Sequence, residues 1–197
     1  TATLGLTNVI GLWSSVAVLD ANGDGKMDLV AGNWGLNSKY QSHMPLHLYY
    51  GSFEGSEGAS VVEAYEDADL KKIVPWRDWE TLSSAMPFIR ERCTNFTQFS
   101  TASVDEFMGS RGAQMRHLIL NSFATTLFLN QGNGFKAVPL PREAQFAPVF
   151  GIAVSDVDGD GNEDLFLSQN FFEVPPLTSR LDGARGLMLK GDGTGGF

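Results

Sequence analysis

Residues 156–164 read D-V-D-G-D-G-N-E-D, and residues 20–28 read D-A-N-G-D-G-K-M-D. Oxygen-bearing side chains fall at positions 1, 3, 5 and 9 of each stretch, with glycine at position 6. They are Asp20, Asn22, Asp24 and Asp28 in the first, and Asp156, Asp158, Asp160 and Asp164 in the second. Seven carboxylates in two short turns repel one another, and a hard cation is the simplest way to neutralise them. Calcium takes six to eight oxygens at about 2.3–2.6 Å. The backbone carbonyls of Lys26 and Asn162, at position 7, are expected to add to each set. Gly25 and Gly161 permit the bend that turns alternate side chains toward one centre. An EF-hand loop shares positions 1, 3, 5 and 6, but it needs a bidentate glutamate at position 12 and helices on both sides. Position 12 here is Ala31 or Leu167.

The flanks of both loops read as strands. S-V-A-V-L (15–19) enters the first loop and L-V-A (29–31) leaves it; F-G-I-A-V (150–154) enters the second and L-F-L (165–167) leaves it. These are short apolar runs bounded by Gly, Asn and Asp. Residues 46–53 and 61–65 read as a further strand, turn and return strand. If Ser52 opens that turn, Glu54, Ser56 and Ser60 fall at positions 3, 5 and 9, with one carboxylate among them. Such a turn is expected to hold its shape without calcium or to bind it weakly. Strands at 127–129 and 187–189 each run into a Gly-rich turn ending in Phe, the pattern of a tight hairpin.

The order is therefore strand, acidic loop, strand, connection, strand, Gly hairpin, and then the same again. All-β repeats of this kind point to radial repetition, as in a β-propeller. The loops begin 136 residues apart. At roughly 40–50 residues per blade that is about three units, or two with an insertion. Residues from about 71 to 115 lose the β pattern. Asp78 is placed to cap a helix, Pro87 to interrupt it, and Ser103 with Glu106 to form a capping box. The expectation is an all-β propeller segment of about three four-stranded blades spanning residues 1–197, with a small helical insertion at about 71–115.

The Phe150 to Leu165 pattern F-G-I-A-V-S-D-V-D-G-D-G-N-E-D-L resembles an FG-GAP or VCBS repeat, the calcium-loop unit of integrin α-type β-propellers. A-G-N-W-G-L-N-S (31–38) and A-M-P-F-I (85–89) are similar to bacterial relatives of cartilage acidic protein, many of which carry a further ASPIC/UnbV domain. The resemblance implies that calcium in the loop between a blade's first two strands braces the blade, while ligands bind elsewhere.

Composition narrows the partners. The formal charge is −9 and no Lys/Arg run offsets it, which argues against nucleic acid. The single cysteine, Cys93, excludes a disulfide within the chain. No run of about 18 apolar residues is present, so no membrane span is expected. The chain opens mid-pattern and stops on a turn, which suggests a segment of a longer protein whose remaining blades are its first partners. Several chemical motifs fail on context. Gly191, Gly193 and Gly196 spell G-x-G-x-x-G without a following helix, and His43 and His47 straddle Pro45, which defeats a zinc helix. The functional expectation is a calcium-stabilised, non-catalytic module, extracellular, cell-surface or periplasmic, that binds a protein or carbohydrate ligand in adhesion. The alternatives are purely structural blades of a larger protein, or a propeller enzyme using acids such as Glu173 or Asp182 on the segment after Asn170.

Overall fold

The computed structural model describes residues 4–52, 60–174 and 179–197. In chain order the strands are β1 (Ser15–Leu19), β2 (Asp28–Gly32), β3 (Leu46–Gly51), β4 (Ser60–Asp67), β5 (Lys72–Pro75), β6 (Arg116–Leu120), β7 (Thr126–Asn130), β8 (Phe135–Pro139), β9 (Val149–Ser155), β10 (Asp164–Gln169) and β11 (Leu187–Leu189). Four short helices, α1 (Trp79–Ala85), α2 (Ile89–Arg92), α3 (Phe96–Phe99) and α4 (Val104–Met108), lie between β5 and β6. The protein is mostly β, with three antiparallel sheets. It divides into two compact units, Thr1–Gln41 with Ser122–Phe197, and Ser42–Asn121.

The first unit holds two sheets, ordered β1-β2-β7-β8 and β11-β10-β9. Each acidic loop joins the first two strands of its sheet. The inward side chains Leu19, Val30 and Leu127 of one sheet meet Val149, Leu165 and Leu167 of the other in one core. Of the two arrangements that the loop spacing allows, the structure has two loop-bearing sheets separated by an insertion. The helices of the stretch expected at about 71–115 lie between β5 and β6, the edge strands of a third sheet. The free edge of β2 is completed by β7, with Leu29 opposite Phe128, and not by the nearer β3.

The chain leaves the first sheet after Gly32 and re-enters it at Thr126, and Asn33 and Gln145 close this gap. Asn33 is fully buried. Its Oδ1 accepts from the N–H groups of Leu12 and Trp34 (3.1 and 2.8 Å), and its Nδ2 donates to the Ser122 carbonyl (3.0 Å). Gln145 does similar work: its side chain accepts from the Thr125 N–H and donates to the Thr125 and Leu140 carbonyls, while its backbone carbonyl accepts from the N–H groups of Leu36 and Asn37.

The second unit is a sheet ordered β5-β4-β3-β6 with the helices packed on one face. The helical stretch thus connects the two edge strands of its own sheet. Asp78 caps α1 through the Thr81 N–H, and Ser103 and Glu106 form the expected reciprocal box on α4. Phe99 and Phe107 are buried, and Trp79 and Phe88 pack against that core. Phe96 does not join this core. It is 64% exposed, because Asn95 caps a single turn whose inward position falls to Phe99. Cys93 is a buried free thiol, and burial pushes its pKa up. The turn proposed to run from Ser52 to Ser60 lies mostly outside the described residues.

One polar group in this unit is unusual. His47 is buried, and its Nδ1 lies 2.9 Å from His117 Nε2. The ring planes differ by 13° with centroids 5.1 Å apart. That separation is close to the N···N distance plus two ring radii, so the rings meet edge to edge. The face of His117 is covered instead by Tyr49, at 4.3 Å and 7°. His47 Nε2 makes no hydrogen bond and sits 3.5 Å from the Glu66 carboxylate. The tautomers that avoid a bare lone pair facing that carboxylate have His117 Nε2–H donating to His47, and His47 Nε2–H directed at Glu66.

Two predictions follow from this architecture. Asn33→Ala leaves the Leu12 N–H and the Ser122 carbonyl buried without their partner, and is expected to cost about 3 kcal/mol in urea unfolding. Burial, and then the adjacent His47, hold the His117 pKa below its ordinary 6.5, against an opposing pull from Asp105. The folded unit therefore binds fewer protons than the unfolded chain. Its stability is complete above pH 6.5 and declines as the pH falls through the lowered pKa. Hydrogen exchange of the β3 and β6 amides should accelerate between pH 7 and 5, beyond the intrinsic pH dependence. His117→Gln should remove that excess, and an equal excess in both proteins would rule the assignment out.

Candidate metal centre

Each acidic loop is a turn built around its first aspartate. In the first loop Asp20 accepts from the N–H groups of Asp24 (3.1 Å) and Gly25 (2.9 Å). In the second, Asp156 accepts from those of Gly159 (2.7 Å), Asp160 (3.1 Å) and Gly161 (2.9 Å). Position 5 then accepts from position 7: the Lys26 N–H donates to Asp24 and the Asn162 N–H to Asp160, both at 2.9 Å. Gly25 and Gly161 have φ of 80° and 88°, the left-handed region that a side chain resists, so the expected bend occurs there.

Position 9 has a role that sequence reasoning did not anticipate. Asp28 and Asp164 are buried, 0% and 3% exposed. One oxygen of each accepts from the N–H of position 2, Ala21 or Val157, at 3.0 Å. The other accepts from the end of the sheet's third strand: the Asn130 N–H donates to Asp28 at 2.7 Å, and the Gly191 N–H to Asp164 at 2.9 Å. The loop is thereby stapled to a strand that arrives much later in the chain. A carboxylate has further lone pairs, so the staple and a metal bond are compatible.

Asp156, Asp158 and Asp164 bring one oxygen each within 4.8 Å of the others. Asp160 stands outside that group, and its Oδ2 takes Lys190 Nζ at 3.0 Å; Lys190 also contacts Asp158. Among the described residues the first loop forms no such group of three, and Asp24 Oδ2 lies 3.0 Å from Lys26 Nζ. The pKa of Asp24 is lowered chiefly by its bond from Lys26, and that of Asp160 chiefly by the Asn162 N–H and then by Lys190. The Lys190 pKa is raised by Asp158 and Asp160. The donor set is all oxygen and mostly anionic, which fits a calcium ion and does not fit a thiophilic metal.

The two loops touch. Glu163, at position 8 of the second, accepts from the Asp20 N–H of the first at 2.7 Å. The hairpin after β11 also reaches the first loop, where the Gly195 N–H donates to the Ala21 carbonyl at 2.9 Å. Neither contact is visible in the sequence, because both depend on how the two sheets register. Glu173 and Asp182 are exposed, and among the described residues no hydrogen bond or ion pair joins them.

Residues 12–39, which contain β1, the first loop and β2, match the model of the FG-GAP repeat. The chain carries an FG-GAP repeat. The second loop and its strands reproduce the geometry of that FG-GAP segment, staple included. No curated protein and no solved structure matches the chain. Among the described residues, no helix is long and apolar enough to cross a membrane.

The staple separates structural from metal-binding roles. With calcium chelated, Asp28→Asn sets an amide against two buried N–H donors and is expected to cost about 2–3 kcal/mol. Asp24→Asn, at an exposed position, is expected to change stability by less than about 0.5 kcal/mol. Urea unfolding of both variants in EDTA checks this difference.

Proposed function

We propose that the chain is a calcium-braced, non-catalytic propeller module that works outside the cytoplasm by binding a protein or glycan. The observation that carries this reading is the repetition of one sheet design in one register. Leu29 pairs with Phe128 as Leu165 pairs with Leu189, so Asn130 and Gly191 are equivalent positions, and both hold a position-9 aspartate. By the same register, Ala153, Phe166 and Met188 are the counterparts of Ala17, Val30 and Leu127, which face the core between the sheets. Phe166 and Met188 are 46% and 50% exposed.

The opposite end shows the complementary deficit. Val16 and Val18, 65% and 53% exposed, correspond to the partly covered Ile152 and Val154, while Phe128, the counterpart of Leu189, is covered by Trp13. Part of that face lines an open groove of about 470 Å³, bounded also by Leu6 and Trp13. A sheet that packs front to back against an equivalent sheet repeats without a natural end until a ring closes. This supports a propeller over a two-sheet sandwich, whose outer faces would be polar.

Calcium here braces the blade. Carboxylates that repel one another become a shared shell, while the staple already holds the strand. Extracellular and periplasmic fluids supply calcium at concentrations such loops retain, which supports an extracytoplasmic setting. The binding role rests on the resemblance of the loop-bearing segments to FG-GAP units, which serve as scaffolds for ligand binding.

The direct test is thermal unfolding with and without calcium. At calcium concentrations of about 100 times Kd, each filled loop should add about 2.7 kcal/mol and raise Tm by about 5–10 °C. A Tm that is the same in calcium and in EDTA would remove the reading.

A further inference from the structure

Lys190 follows β11 directly and precedes Gly191, whose N–H holds the buried Asp164 carboxylate. Its backbone is thus fixed at the base of the second loop. Its side chain is 62% exposed and reaches over the loop to Asp158 and Asp160, which occupy positions 3 and 5. Those are two of the oxygen positions that calcium would use.

The first sheet serves as an internal comparison. Its register equivalent of Lys190 is Leu129, which carries no charge. The first loop has three carboxylates and Asn22 at position 3, and Lys26 from within the loop reaches only Asp24. The second loop has a fourth carboxylate, Asp158, at that position. The added negative charge and the added lysine therefore occur in the same loop and touch each other.

We propose that Lys190 is a tethered counter-cation of the second loop, one that calcium must displace before it fills the site. The inference rests on the calcium reading above. The Oδ1 atoms of Asp158 and Asp160 accept the Asp160 and Asn162 N–H groups, so Lys190 occupies the two Oδ2 atoms left for calcium, and an ammonium and a divalent ion on the same two oxygens compete and repel each other. The four-carbon stem and exposed position let Lys190 swing into solvent when calcium arrives. Without calcium it offsets the repulsion among four carboxylates and keeps the loop folded. The second loop accordingly binds calcium more weakly than its four acids alone would, and it tolerates low calcium better.

The test is calcium titration of the full chain by calorimetry, with the Gly25 and Gly161 amide resonances assigning each event to its loop. Lys190→Met is expected to tighten binding at the Gly161 loop at least tenfold and to leave the Gly25 loop unchanged, while Lys190→Arg stays within threefold of wild type. A Lys190→Met protein whose Gly161 loop titrates at or above the wild-type calcium concentration overturns the proposal and leaves the calcium reading standing. Absence of a calcium response in both proteins overturns both. Lys190→Met alone could fail to fold without calcium, so a second measurement uses the wild type. Amine-reactive labelling read by mass spectrometry should find Lys190 protected in EDTA and at least threefold more reactive in calcium. Equal labelling in the two conditions overturns the displacement.

Discussion

Two buried aspartates, Asp28 and Asp164, hold the loop-bearing sheets together. Each accepts one N–H from its own turn and one from a strand that enters the sheet much later in the chain. A buried carboxylate without such donors would be costly, and with them it is a strong, directional tie. The other features of the acidic loops are arranged around this constraint. The first aspartate gathers turn N–H groups, positive-φ glycines allow the gathering, and in the second loop Asp156 and Asp158 are left beside Asp164. Metal binding is therefore an addition to a turn that already closes through its own hydrogen bonds.

The apolar packing repeats on the same register. Leu19, Val30 and Leu127 present one kind of surface, and Val149, Leu165 and Leu167 present its complement. Because each sheet carries both kinds, one on each face, the packing has a direction. Glu163 and the hairpin after β11 extend that direction to the loops, placing one acidic turn against the next.

Local features were legible in the sequence. The strand runs, both acidic loops, the Asp78 cap and the Ser103–Glu106 box depend on residues a few positions apart, and each formed where its pattern lay. The two-unit alternative to three blades was also legible from the spacing of the loops. Features that depend on distant pairing were not. Thr126–Asn130 looks like any short strand, and nothing near it says that its partner is β2. Lys190 reads as an ordinary turn lysine until the pairing of Leu165 with Leu189 puts it over Asp158. Asn33 reads as a loop residue, yet its buried side chain joins segments that are far apart in the chain.

The gap closed by Asn33 and Gln145 bears on how the chain folds. Leu29 and Phe128 lie about a hundred residues apart, and bringing the ends of an unfolded loop of that length together carries a substantial entropy cost. The intervening Ser42–Asn121 has its own sheet, helices and core. Once it is folded, the span between β2 and β7 is bridged by a compact body with short leads, and the search for the β2–β7 pair becomes nearly local. A compact Ser42–Asn121 therefore shortens the effective loop that the β2–β7 pairing has to close.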